Sequence, residues 1–318
     1  MTTKSQSNRA RPSWFSRFWA IVRYEMLWNI RKKRFIGALI FAFIFATLGF
    51  AIPSFFDISE NPYFAITFSA GNLTFVLFAV VTAMNSISGE YESGTIVPLL
   101  TKPVSRTMVF LGKLFAIFVI IISAYVVIYV YSIIGGLIVY GPQNNLHLVP
   151  LALIGDLIAT FIWVSIVLAA GAISKNSLLA FLMSFGLFVA LAIGGGLVSQ
   201  FAGNPPALNY FPGTGASGTM NISGGQNVTI QNVTVNTLAS VSTGTDSIGT
   251  NMIKSVLYPD ANVSFYSRDV FNLTSVPQLL YTEPISLIAL RSIGVAFVYI
   301  AVFLFIAWFA FKRSQVLE

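Results

Sequence analysis

Six stretches of this chain run for more than twenty residues each and hold only three charged side chains between them, Lys113, Asp156 and Arg291. They are Phe35–Phe56, Phe64–Ser86, Thr107–Val139, Leu148–Ile173, Leu178–Phe201 and Pro284–Phe311. A helix needs about 20 apolar residues to cross a hydrocarbon core of roughly 30 Å, so each run is long enough to span a membrane. The runs are continuous rather than alternating, so the pattern of a membrane β-barrel is absent. Charged residues make up 9% of the chain, against about 25% in a soluble domain. With so few charges, lipid must cover much of the surface. The first run is too long for a cleavable signal peptide, and a basic, aromatic segment precedes it. The expected fold is an all-α polytopic membrane protein of six transmembrane helices, with an N-terminal amphipathic interfacial helix. A large external loop, with some β-structure, is expected between helices five and six.

Lys and Arg mark the cytoplasmic side of membrane proteins. Nine precede the first run, Lys102 and Arg106 lie between runs two and three with Lys113 just inside the third, Lys175 lies between four and five, and Lys312 and Arg313 follow the sixth. Only Lys254, Arg268 and Arg291 fall on the other side, a split of 15 to 3. Both termini are therefore expected in the cytoplasm. The formal charge of +7 is read as a topology signal with some attraction to anionic lipid, not as a nucleic-acid surface. The chain divides into a cytoplasmic segment 1–34, helices one to five over 35–201 with a cytoplasmic loop 87–106, an external segment 202–283, and a last helix with a cytoplasmic end over 284–318.

The external segment is rich in Gly, Asn, Ser and Thr. The alternation Asn227-Val-Thr-Ile-Gln-Asn-Val-Thr-Val predicts short strands. Five Asn-X-Ser/Thr acceptors crowd into it, at Asn221, Asn227, Asn232, Asn262 and Asn272, and support its placement outside. Asn72 begins a sixth triplet but falls within a run, out of reach of a glycosyl transferase. Zero cysteines remove disulfides, thiolate metal sites and cysteine nucleophiles. Glycan acceptors without cysteines suit an archaeal cell membrane better than a eukaryotic one.

Trp14 to Ile30 reads as an amphipathic helix, its aromatic residues at the interface and its arginines toward headgroups. Trp14, Phe15, Phe18, Trp19, Ile21, Val22, Met26, Trp28 and Ile30 share one broad face, which Glu25 and Asn29 interrupt. Two readings stand for this helix. It is a plain surface anchor, or Glu25 pairs with a partner subunit or with Arg31–Arg34.

Between runs two and three, Glu90 and Glu92 stand just past the end of the second run. Ser93, Gly94 and Thr95 are turn or cap residues, and Pro98 is tolerated only in a helix's first turn. Ile96, Val97, Leu99 and Leu100 can form a short apolar helix that Pro103 ends, with Arg106 and Lys113 anchoring the next run. A short apolar helix in a charged frame, with no catalytic cluster, is a knob for a groove on another protein.

Glu90-x-Glu92-x-Gly94-Thr95-Ile96-x-x-Leu99-Leu100-Thr101-x-Pro103-Val104-Ser105-Arg106 resembles the signature of type 2 ATP-binding cassette (ABC) permeases. In that family E-x-E-x-G-T-[IL], two leucines and P-[IV]-S-R follow the second of six spans. Pro98 stands where the family more often has a helix former. The resemblance covers nearly the whole chain. It implies that Glu90, Glu92, Gly94, Thr95, Ile96, Leu99, Leu100, Pro103 and Arg106 contact a separate nucleotide-binding ATPase subunit. ATP and Mg would then be bound on that partner, with no cofactor on this chain, and a second permease chain, identical or not, would complete the path. The short loop Ser174–Ser177 is a lesser contact with the ATPase or a plain turn.

No G-x-x-x-x-G-K-[ST] phosphate loop occurs. One G-x-G-x-x-G runs from Gly213 to Gly218, but Pro212 precedes it and a polar stretch follows, which is no dinucleotide site. His147 is the only histidine and makes neither a metal site nor a triad. Asp156 and Arg291 lie at similar depths near the outer ends of their spans. They form an ion pair, or each snorkels alone. Gly194-Gly195-Gly196 serves close packing or unwinding more readily than ligand contact. The sequence thus points to a non-enzymatic permease subunit, an exporter of lipid, peptide or another amphiphile. The alternative is a non-transporting membrane subunit that anchors another complex.

Overall fold

A computed structural model describes residues 13–55, 64–67, 71–94, 105–202, 205–213, 219–221, 227–230, 233–236, 241–242, 247–267 and 278–313. Where described, each apolar run lies mainly on helix. The first forms α2 (Lys33–Phe55), preceded by α1 (Trp14–Ile30), which Ser13 caps by accepting the Ser16 N–H at 3.2 Å. The second carries α3 (Phe64–Thr67) and α4 (Gly71–Ala83), and α5 (Ser88–Glu92) follows its end. The remaining four give α6 (Arg106–Tyr140), α7 (Val149–Ser174), α8 (Ser177–Ala202) and α10 (Ile285–Arg313). Among the described residues, five helical stretches are long and apolar enough to cross a membrane: Leu73–Glu92, Arg106–Tyr140, Leu146–Ser174, Ser177–Ser199 and Ile285–Arg313. With 35 residues, α6 is about 52 Å long and outreaches the hydrocarbon layer.

The bundle is built around α7, which packs against α4, α6, α8 and α10. Within its apolar stretch 72% is buried, against 11% for α8 and for α10. α8 and α10 therefore turn most of their apolar surface outward, as helices bathed in lipid do.

Between α8 and α10 lies a small mixed layer. A four-stranded antiparallel sheet has the order β4 (Val241–Ser242), β1 (Thr219–Asn221), β5 (Asn262–Ser267), β6 (Gln278–Pro284). The alternating Thr/Val stretch closes into a separate hairpin of β2 (Asn227–Ile230) and β3 (Val233–Asn236), pairing Val228 with Val235 and Thr229 with Thr234. β6 runs directly into α10, and the Ile285 N–H donates to the Ala261 carbonyl at 3.0 Å. This layer is fixed to the bundle by α9 (Ile248–Leu257), which lies across α7. The crossing is at backbone contact. A Cβ on Gly155 of α7 would meet the Gly249 Cα at 2.2 Å, so only glycine fits there.

Candidate functional site

At the end of the bundle that carries most of the lysines and arginines, three elements meet on one charge. The Lys113 ammonium, in the third turn of α6, is 3% exposed. It lies 2.5 Å from Glu25 Oε1 of α1 and 2.7 Å from Glu90 Oε1 of α5. Gly112 makes this possible, because a Cβ there would come within 2.9 Å of Ile21 Cγ2. The missing side chain lets α1 lie close enough for Glu25 to reach the lysine.

Lys113 is therefore a buried tie rather than a surface anchor for its span. Glu25 likewise pairs within the chain, with a lysine other than the neighbouring basic cluster. Val22, Glu25 and Asn29, one helical turn apart, are the buried residues of α1, while Trp14, Phe15, Trp19 and Ile30 stay exposed. Beside this stripe the Phe18 and Trp19 rings lie against Phe115 of α6 at 6.0 and 6.4 Å. The physical reason is that a lone buried lysine is costly and two carboxylates offset it, so the polar interruption of the apolar face turns inward with it. Asn29 extends the stripe, donating to the Glu25 carbonyl at 3.1 Å and accepting from Lys32 at 3.3 Å. Lys32 stacks over the Trp28 ring. Burial pulls its ammonium down to about 7, against the opposing pull of Glu25.

The second glutamate of the E-x-E pair has a different task. Glu92 accepts the Ser177 backbone N–H at 2.7 Å through Oε1 and the Ser177 hydroxyl at 2.8 Å through Oε2. A carboxylate at the first N–H of α8 satisfies an orphan donor and suits the helix dipole. Ser88 reaches the same Ser177 hydroxyl at 3.1 Å. The short turn before α8 is thus bound to α5, and Lys175 within it takes the left-handed conformation at φ 53°. Gly94, at φ 67°, turns the chain away from α5. On the far side of the loop Ser105 caps α6, accepting the Met108 N–H at 3.2 Å. Arg106 donates to the Lys312 carbonyl at 2.9 Å, satisfying the C-terminal end of α10. Thr95, Ile96, Leu99, Leu100 and Pro103 lie outside the described residues. Beside Glu92 an open hollow of about 690 Å³ is walled by Trp28, Arg34, Asn85, Ser177 and Phe181.

The opposite end holds the other singled-out charges, and there Asp156 and Arg291 have separate partners. Arg291 pairs with Glu283 at 2.9 Å, eight residues back at the end of β6. Asp156, 1% exposed, accepts from the Tyr129 hydroxyl at 2.7 Å. It also sits over the first turn of α9, where a Cβ on Gly249 would lie 3.3 Å from its Oδ1. The Thr160 hydroxyl donates to the Asp156 carbonyl at 2.8 Å, so the Tyr125 hydroxyl, 2.7 Å away, donates to Thr160. Equal depth did not make a pair because a tyrosine hydroxyl supports the buried carboxylate and Glu283 lies nearer to Arg291. Of the glycan acceptors, Asn221 and Asn227 lie on β1 and β2, and Asn262 is exposed on β5. Asn232 and Asn272 lie outside the described residues, and Asn72 lies in α4.

A helical bundle long and apolar enough to cross a membrane, with a charged clasp at its basic end, defines a polytopic membrane protein built to hold a loop. The family profile of ABC-2 family transporter proteins matches residues 19–316. With nearly the whole chain matched, the protein belongs to this family, whose members are membrane permease subunits of ABC transporters that pair in general with an ABC ATPase. A comparison with curated proteins finds no match.

Proposed function

We propose that this permease exports an amphiphile, a lipid or a peptide, and that the loop 87–106 receives the ATPase on the cytoplasmic face. Both termini and the loop would lie on that face, and residues 202–283 outside. The observation that supports this reading is the Lys113 tie. It joins α1, the root of the loop at α5 and the long helix α6 at one buried ammonium. A force applied to the loop then reaches a span and the surface helix together. Glu90, Glu92, Gly94 and Arg106 act here as the frame of the loop, and Thr95, Ile96, Leu99, Leu100 and Pro103 as the part it presents. The mainly apolar spans favour an amphiphilic cargo over a hydrated ion. Two copies, or this chain and a second permease, would enclose the path.

The test is ATP hydrolysis by the assembled transporter in vesicles. Ile96→Glu with Leu100→Glu should leave the permease folded and abolish stimulation of hydrolysis by the cargo. Unchanged stimulation would refute docking through this loop.

A further inference from the structure

Toward the strand-bearing end of the bundle, α7, α8 and the stretch that follows α8 enclose a cavity of about 290 Å³. That is near the lower end of the roughly 300–1,000 Å³ found for ligand pockets. It is lined by Trp163 and Phe188, by α8 up to Ser199, and by a cover of Leu208, Phe211 and Pro212, which runs along α8 from Gly195 back to Trp163, where a Cβ on Gly213 would lie 3.1 Å from the indole Nε1. From Phe188 to Ser199 α8 climbs about 16 Å. A volume of this size spread over that length is a tunnel rather than a round chamber.

Three observations fix what could occupy it. The lining is mostly aromatic and aliphatic, so a hydrated or charged ligand would lose its water without replacement. A mainly apolar cavity favours apolar guests. One wall is α8, which packs Phe181, Phe185, Phe188 and Leu191 on the bundle and leaves Leu182, Met183, Ile193 and Leu197 exposed, so the molecules that meet its outer face in a membrane are lipids. Gly195 and Gly196 keep that wall thin. A Cβ at Gly195 would press on the Phe211 ring at 3.3 Å, whereas one at Gly196 would meet nothing within 4 Å.

We propose that this tunnel is a binding site for one hydrocarbon chain of a bilayer phospholipid, held between Trp163 and the Phe211 cover. The site does not depend on the transport direction or on the ATPase.

Trp163 is 3% exposed within the protein, so it reports on the tunnel's occupant. In a chain whose Trp14, Trp19, Trp28 and Trp308 are replaced by Phe, Trp163 is the sole tryptophan. Reconstituted into vesicles of phosphatidylcholine brominated along its acyl chains, this protein should lose Trp163 emission relative to vesicles of the unbrominated lipid. Gly196→Leu fills the tunnel from its open wall and should abolish that loss, while Gly196→Ala should retain it. Emission equal in the two lipids, or equal quenching in the Gly196→Leu protein, would overturn the proposal. Should the four-tryptophan replacement fail to fold, the same comparison of Gly196→Leu with the unsubstituted chain reads the bromolipid-dependent difference between them. No difference there also overturns it.

Discussion

At the scale of single residues, Lys113 carries the most consequence. It is one positive charge shared by two glutamates, and the Oε2 atoms of Glu25 and Glu90 find no hydrogen-bond partner among the described residues. Removing the lysine would leave two carboxylates buried against each other. Breaking a buried pair from one side costs about 3–5 kcal/mol, whereas replacing the whole group with neutral side chains is often tolerated. Lys113→Met should therefore lower the thermal midpoint in detergent sharply. Lys113→Met combined with Glu25→Gln and Glu90→Gln should recover much of the loss, a non-additivity expected of residues in contact. A triple variant no more stable than Lys113→Met would mean that the three charges do not act on one another.

At the scale of elements, close approach decides which glycines matter. Gly249 of α9 faces the α7 backbone, where a Cβ would sit 2.7 Å from the Ala152 carbonyl oxygen. Backbone cannot step aside as a side chain can, so Gly249→Ala should cost about 1–3 kcal/mol as overpacking. Gly186 of α8 has nothing within 4 Å of its Cβ position, and Gly186→Ala should be neutral or gain up to about 1 kcal/mol. Equal thermal midpoints for the two variants would contradict the α7–α9 crossing. The helices themselves were legible because a continuous apolar run needs no knowledge of its neighbours. The extended strands β2 and β3 were legible too, since the Thr/Val alternation states its own period, but their pairing into a hairpin was not. The buried face of α1 was not. Glu25 is 88 residues from Lys113, and an interruption of an apolar face looks the same whether it points to water or to a hidden partner. The partner of Asp156 was not legible for the same reason. Its donor Tyr129 sits on another helix, and a tyrosine in an apolar run gives no sign of where its hydroxyl points. The frame of the loop was legible as a motif, but not the separate task of each of its residues.

At the scale of the whole molecule, one end of the bundle gathers the clasp and the loop, and the other the sheet, α9 and the lipid-facing tunnel. The proposed orientation puts a membrane between them. The chain contains no cysteine, so single introduced cysteines report sidedness without background. Lys175→Cys, in the turn before α8, should react with a membrane-impermeant maleimide only from the cytoplasmic side. Asn262→Cys, exposed on β5, should react only from outside. Labelling of both from one side would invert or break the arrangement.

On the proposed function, the ATPase sits against the loop framed by Glu90, Glu92, Gly94, Ser105 and Arg106. The direct measurement is site-specific cross-linking in the assembled transporter, using Ile96→Cys on the permease with a short thiol-to-amine reagent and Asn262→Cys as the control. The account predicts a permease–ATPase adduct from Ile96→Cys that diminishes when Glu90 is also replaced by Gln, because the frame then loosens, and none from Asn262→Cys. An adduct from Asn262→Cys but not from Ile96→Cys, with both proteins folded and assembled, would contradict it.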